Sequence, residues 1–286
     1  MLIGATCSLS PIISQQASVT ESLFRSRLHV RSIFNGPLGP NLQLFLDRLT
    51  ARSVLTDEER QAILSLPTRA AQVEANRDFV RMGEKVDYCC LIVDGMMGRF
   101  GQTLDGTRQI TALHVPGDIA DLHSVVRPVG TSAIQALSTT TVLRISHAHL
   151  RTVAARFPAV AEAFWRDCIV DAAVLSQWVV NVGRRDAKTR LAHLLCEMAV
   201  RSGDDCTPQL IYPFPVTQSH LADATGLTSV HVTRTLRLLR DEGLANIRAR
   251  EVRILDWKRL ATVGEFDGAY LQADTKPDAR QRLLDQ

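Results

Sequence analysis

An α+β architecture in three parts is predicted from three observations in the sequence. Short apolar runs broken by glycine fill Ala71 to Ile145, a long apolar-striped helical stretch follows Pro158, and two capped helices flank Gly226. The parts are an antiparallel β jelly-roll barrel, a long dimerisation helix, and a C-terminal helix-turn-helix beside a small β-hairpin. With 286 residues the chain has room for two ordinary domains. Hydrophobic residues make up 45% of it, yet no run approaches the roughly 18 apolar residues that would span a bilayer. The net charge of +3 is compatible with a nucleic-acid partner without demanding one.

Residues 1–36 combine serines with Arg25, Arg27 and Arg31 and a single acidic residue, Glu21. They lack the apolar core of a secretory signal and are expected to form a poorly ordered extension. From Asn41 the spacing is helical through Leu42, Leu44, Phe45 and Leu49, and Thr56 caps a second helix carrying Ile63 and Leu64. The period then shortens. Gly83, Gly95, Gly106 and Gly117 punctuate strand-like runs at intervals of about eleven residues, as expected of a jelly roll. Leu104 to Thr107 has the composition of a tight hairpin.

Helical spacing returns at His147 to Arg156, and Pro158 suits the first turn of a helix running to about Val182. Its stripe comprises Phe164, Cys168, Ala172, Leu175, Val179 and Val182, widened by Val174 and Trp178. Packing on the chain's own barrel would use part of this surface. The excess favours a parallel helix pair in a homodimer. Gly183-Arg184-Arg185-Asp186 is read as a break in the helix, with Asp186 as hinge and cap of the next helix. That helix carries Leu191, Leu194, Leu195 and Met198 and is expected to end at Gly203 to Asp205.

Thr217 caps a short helix with Leu221 and Ala222 inside, Gly226 supplies the turn, and Thr228 caps the next helix. Val232, Leu236 and Leu239 share its buried face, leaving Ser229, Val230, His231, Thr233 and Arg234 outside. This is the spacing of a DNA-reading helix-turn-helix. Ala245 to Arg248 and Val252 to Ile254 follow as hairpin strands separated by Ala249-Arg250-Glu251, then a short helix at Trp257 to Val263 and a polar tail after Ala273. Between Pro215 and Leu260 eight Arg or Lys stand against five Asp or Glu, a surplus suited to phosphate contacts.

The cysteines, Cys7, Cys89, Cys90, Cys168, Cys196 and Cys206, form no C-x-x-C pair. Cys89 and Cys90 are expected to point to opposite faces of one strand as packing residues.

In this order, L-I-V-D-G (Leu91 to Gly95), P-G-D (Pro116 to Asp118), R-L-A-H-L-L (Arg190 to Leu195) and G-L-T-S-V-H-V-T-R (Gly226 to Arg234) resemble the Crp/Fnr family of bacterial transcription regulators. The resemblance covers about Asn41 to Leu260. It implies a cyclic-nucleotide-binding-like sensor barrel over 41–156, a dimerisation helix and hinge over 157–185, a winged helix-turn-helix over 186–264 and a tail over 265–286. It further implies a cytoplasmic homodimer on a near-palindromic duplex site, with RNA polymerase as a partner if the protein is an activator. Arg234 is then a base- or phosphate-contacting residue and Val230 an apolar contact to a thymine methyl. Ser229, His231 and Thr233 contact base or phosphate, Gln218 and Ser219 phosphate, and Thr228 and Arg237 complete the DNA-binding set.

Two departures from the family are expected to matter. Leu122 and Thr131 stand where relatives that bind cyclic AMP carry a glutamate and an arginine, so cyclic AMP is not expected as the effector. Only Cys7 lies near the start, which argues against an iron-sulfur cluster, and no cofactor is expected. His114 and His123 read as structural residues. The alternative is a small-molecule-binding or cupin-like metalloprotein with an accessory helical domain, which would require clustered His and Glu ligands.

Overall fold

The computed structural model describes residues 42–202 and 210–272. Expectations for residues 1–36, Cys7, Cys206, the helix end at Gly203 to Asp205 and the tail after Ala273 lie outside them.

Two short helices open the fold, α1 (Gln43–Thr50) and α2 (Asp57–Leu64). Thr56 and Glu59 close a reciprocal capping box at the start of α2. Seven strands follow: β1 (Thr68–Val73), β2 (Asp78–Val80), β3 (Tyr88–Asp94), β4 (Met97–Gln102), β5 (Arg108–His114), β6 (Ala133–Ala136) and β7 (Thr140–Ser146). They form two antiparallel sheets, ordered β1-β7-β3 and β2-β6-β4-β5.

Strand β3 shows why its sequence is apolar throughout. Cys90 and Ile92 turn into the barrel with Val80, Met97, Ile134 and Val142. Cys89, Leu91 and Val93 turn outward beneath α1 and α2 with Leu143 and Ile145. A strand buried on both faces cannot alternate with polar residues. Gly95 closes the β3–β4 turn at a φ of 87°, where a Cβ would lie 2.6 Å from the Thr139 carbonyl oxygen, so no other residue fits.

Helix α3 (His147–Arg156) leads into α4 (Pro158–Arg184), 27 residues long with Pro158 in its first turn. Helix α4 buries two different faces. Val160, Ala163 and Phe164 cover the first sheet, whereas Val170, Val174 and Trp178 join a cluster holding Phe100, Ile110 and Leu113 of the second sheet and the buried residues of the C-terminal region. The helix passes through Gly183 and ends at Arg185, which is extended with a ψ of 148°. The break falls within the expected Gly183 to Asp186 segment, at Arg185 rather than at the glycine, because an interior glycine weakens a helix without terminating it.

The C-terminal region comprises α5 (Ala187–Ser202), β8 (Ile211–Pro213), α6 (Gln218–Thr225), α7 (Ser229–Asp241), β9 (Ala245–Arg248), β10 (Glu251–Ile254) and α8 (Trp257–Val263). Its sheet is ordered β8-β10-β9. The hairpin loop is one residue shorter than expected, because Glu251 pairs with Arg248. Beyond α8, a 3-10 turn at Gly268–Leu271 brings Phe266 and Leu271 into the same core.

Val232 and Leu239 are fully buried on α7 while Val230 is 80% exposed. Leu239→Ala should cost about 2–5 kcal/mol of stability in urea unfolding, and Val230→Ala less than about 0.5 kcal/mol.

Candidate nucleic-acid interface

The exposed face of α7 is built by local hydrogen bonds. The Thr217 hydroxyl accepts from the His220 N–H at 3.1 Å and its own N–H donates to His220 Nδ1 at 3.3 Å, fixing the start of α6. Gly226, left-handed at a φ of 63°, ends α6. Thr228 then accepts from the His231 N–H at 3.2 Å and starts α7.

Val232, Thr235 and Leu239 face inward, and Leu236 is half-buried. Thr228, Ser229, Val230, His231, Thr233, Arg234 and Arg237 are exposed, as are Gln218 and Ser219 at the start of α6. Thr233 Oγ1 donates to Gln218 Oε1 at 2.7 Å, locking the two helices at the end they present to solvent. Arg237 pairs with Asp241 at 3.5 Å. Arg234 has neither an ion pair nor a hydrogen bond among the described residues, so its five donors are free to engage a ligand.

Behind this face the C-terminal region is tied to the barrel. Gln109 of β5 donates to the Ala224 carbonyl at 3.2 Å. Arg190 Nη2 donates to the Arg185 carbonyl at 2.8 Å, and its Nη1 donates to the Thr225 carbonyl beside the helix-turn-helix turn. Asp186 accepts from the Thr189 N–H at 2.8 Å, a bond that holds its carboxyl below the usual range.

The residues expected at a helix pair divide. Phe164 is a correction: it is 6% exposed and stacks on Phe45 at 5.8 Å, within its own barrel's core. Trp165, 61% exposed, occupies the outward position one residue on. Cys168 is half-buried against the barrel core, Val182 is half-buried near Gly226, and Ala172, Leu175 and Val179 are exposed.

Inside the barrel a cavity of about 10 Å³, room for roughly one water, is lined by Arg99, Asp121, His123, Ser124 and Thr131 among others. Arg99 was missed by the sequence reading. It is buried, its Nη1 pairs with Asp171 of α4 at 2.9 Å, its Nη2 donates to the Ala120 carbonyl at 2.6 Å, and its Nε has no partner among the described residues. The signal was present: Arg99 lies two residues from inward-facing Met97 on β4 and shares its side.

Asp121 Oδ1 accepts from the Cys90 N–H at 3.0 Å, and Oδ2 has no partner among the described residues. His123 shares a 3.3 Å hydrogen bond with Thr131. His114 is buried beside Asp118, and burial lowers its pKa. Leu122 packs into the barrel's outer core. Among the described residues no three His, Cys, Asp or Glu are grouped to hold a metal, and no helix is long and apolar enough to cross a membrane.

Residues 189–263 match the family model described as a Crp-like helix-turn-helix domain, and residues 70–157 match that of a cyclic nucleotide-binding domain. The transcriptional activator protein FnrA of Stutzerimonas stutzeri is 22% identical over 71% of this chain and 83% of its own length. The chain belongs to the Crp/Fnr family of transcription regulators. Another Crp/Fnr relative, the nitrogen fixation regulation protein FixK of Azorhizobium caulinodans, is 26% identical over 69% of this chain and 80% of its own. The fold agrees with that of FixK2 from Bradyrhizobium japonicum, with a TM-score of 0.61 at 23% identity over 69% of this chain and 98% of that one. The two Crp/Fnr domain matches leave residues 158–188, with the whole of α4, between them, and the turn at Gly268–Leu271 beyond them.

Burial, partly offset by the Cys90 hydrogen bond, raises the Asp121 carboxyl from 3.8 to about 6. Between these values the folded chain holds a proton that the unfolded chain has lost. The resulting stability is complete below about pH 4 and disappears as pH rises through 6. Asp121→Asn should therefore equal the parent near pH 4 and exceed it by about 1–3 kcal/mol at pH 7, read from urea unfolding across that range.

Proposed function

We propose that this regulator binds a near-palindromic DNA site as a cytoplasmic homodimer, placing α7 of each protomer in successive major grooves. The observation that carries the reading is the outer face of α7, where Arg234 is exposed without an ion-pair partner among the described residues while Val232, Thr235 and Leu239 on the opposite face are buried. Arg234 reads guanine through its planar fork of donors, and Val230 meets a thymine methyl. Ser229, His231, Thr233 and Arg237 contact base or phosphate, and Gln218, Ser219 and Thr228 contact the backbone. The barrel over 42–156 is the sensor, 157–185 the pairing helix and hinge at Asp186, and the reader runs from 186 to the turn ending at Leu271, beyond the boundary at 264.

The pairing face is Trp165, Cys168, Ala172, Leu175, Val179 and Val182, a strict three-four alternation once Trp165 replaces Phe164. The cyclic nucleotide-binding match describes the shape of the barrel. Leu122 packed in the outer core, Thr131 at the cavity and room for a single water support a signal other than cyclic AMP. FnrA of S. stutzeri is described as a transcriptional activator, and by that likeness we read RNA polymerase as the partner of the DNA-bound dimer.

Selection of bound sequences from random duplex DNA at two salt concentrations should return one inverted motif. On that motif Arg234→Ala should cost roughly 1–3 kcal/mol and relax preference at one position per half-site. Equal loss on every sequence would make Arg234 a backbone contact. Val179→Glu places a charge in the pairing face and should yield monomers in sedimentation that bind the paired site at least about tenfold more weakly, with the barrel still folded.

A further inference from the structure

The hairpin tip combines three features that the reading of α7 does not use. The first is its backbone. Arg248 pairs with Glu251, so the loop is Ala249 and Arg250 alone, at φ of 53° and 64°. A two-residue hairpin with both φ positive is the turn in which Asn-Gly is favoured, because side chains are disfavoured there. This tip carries an arginine instead, and strained backbone concentrates where a side chain is needed for function.

The second feature is position. The Arg250 carbonyl accepts from the Phe214 N–H at 2.7 Å, and the Phe214 carbonyl accepts from Val216 at 2.8 Å. Thr217, next in the chain, caps α6, and Gln218 then accepts from Thr233 of α7. This short chain of bonds sets the tip beside the N-terminal end of α6, at the end of the reader where Thr233 of α7 is exposed. The third is charge. Arg248 and Arg250 are exposed, and neither has an ion pair or hydrogen-bonded side-chain partner among the described residues. Glu251 faces Arg248 across the ladder without closing an ion pair among the described residues.

We propose that Arg250, with Arg248 beside it, enters the DNA minor groove flanking the major-groove segment contacted by α7, and that the protein thereby prefers a narrow, A·T-rich flank. The proposal rests on reading α7 as the helix that reads DNA. A side chain at the tip has only to pass the one sugar-phosphate strand that separates the two grooves. Narrow A·T minor grooves concentrate negative potential and attract arginine, whereas a G·C pair places the guanine amino group in the groove floor.

The test measures full-chain binding by fluorescence anisotropy at fixed salt. Three duplexes share the selected half-sites and differ in flanks of A·T, G·C or inosine·C, the last lacking the minor-groove amino group while keeping the major-groove edge of G·C. The A·T and inosine·C flanks should bind alike and about tenfold tighter than G·C. Arg250→Ala, which keeps the Cβ and so the turn, should reduce that difference below about twofold while half-site preference persists. Arg250→Lys should retain the salt dependence and lose most of the flank preference. Equal binding to all flanks by the parent overturns the proposal. So does an equal loss on all three in Arg250→Ala with a salt slope reduced by about one, the mark of a phosphate contact. Absence of any half-site preference in the parent defeats the reading of α7 itself, and is separable because it appears before the flanks are compared.

Discussion

One buried carboxylate joins the parts of this protein. Asp118, in the P-G-D turn after β5, is almost inaccessible to solvent and pairs with Arg48 of α1 and, at 2.7 Å, with Arg201 of α5. Its Oδ2 also accepts from the Val115 N–H at 3.0 Å. Burial alone would raise its pKa, but the two guanidinium groups outweigh that and hold it well below the usual range. A buried charge is tolerated only when fully compensated, so turn, opening helix and reader are fixed together. From Arg201 the network continues to Glu197, which accepts from Trp178 of α4 and from Tyr270, each at 2.9 Å. From Arg48 it continues to Asp167, also on α4.

Helix α4 is the meeting point of these contacts, and this explains its composition. One face serves the first sheet, a second serves the core shared with the reader, and a third is exposed with Trp165, Ile169 and Val179. Arg99 adds a further link, running from the barrel cavity to Asp171 on the same helix. A rearrangement of the barrel interior would therefore bear directly on α4 through the Arg99–Asp171 pair.

Much of this was legible in the sequence because it is written in local spacing. The capping threonines at 56, 217 and 228, the turn at Gly226 and the opposed Cys89 and Cys90 all appear where periodicity and capping chemistry put them. What local spacing does not settle has separate causes. Phe164 and Trp165 are adjacent large aromatics, and a period of 3.6 residues does not by itself decide which points inward. The turn at Gly268–Leu271 is too short to carry a period. The Asp118 pairs join residues 70 and 83 positions apart, a separation at which no pattern along the chain identifies partners. Arg99 was overlooked because an arginine in a strand is ordinarily taken to face water.

The cluster that holds Phe100 and Leu113 of the barrel also holds Leu195 of α5, Leu221 of α6 and Val252 of the hairpin. Sensor and reader are therefore not two beads on a string: neither half owns all the apolar surface needed to close its interior. Separated at the hinge, each would present an oily wall to water, and the chain is accordingly built to melt and to move as a coupled pair rather than as interchangeable modules.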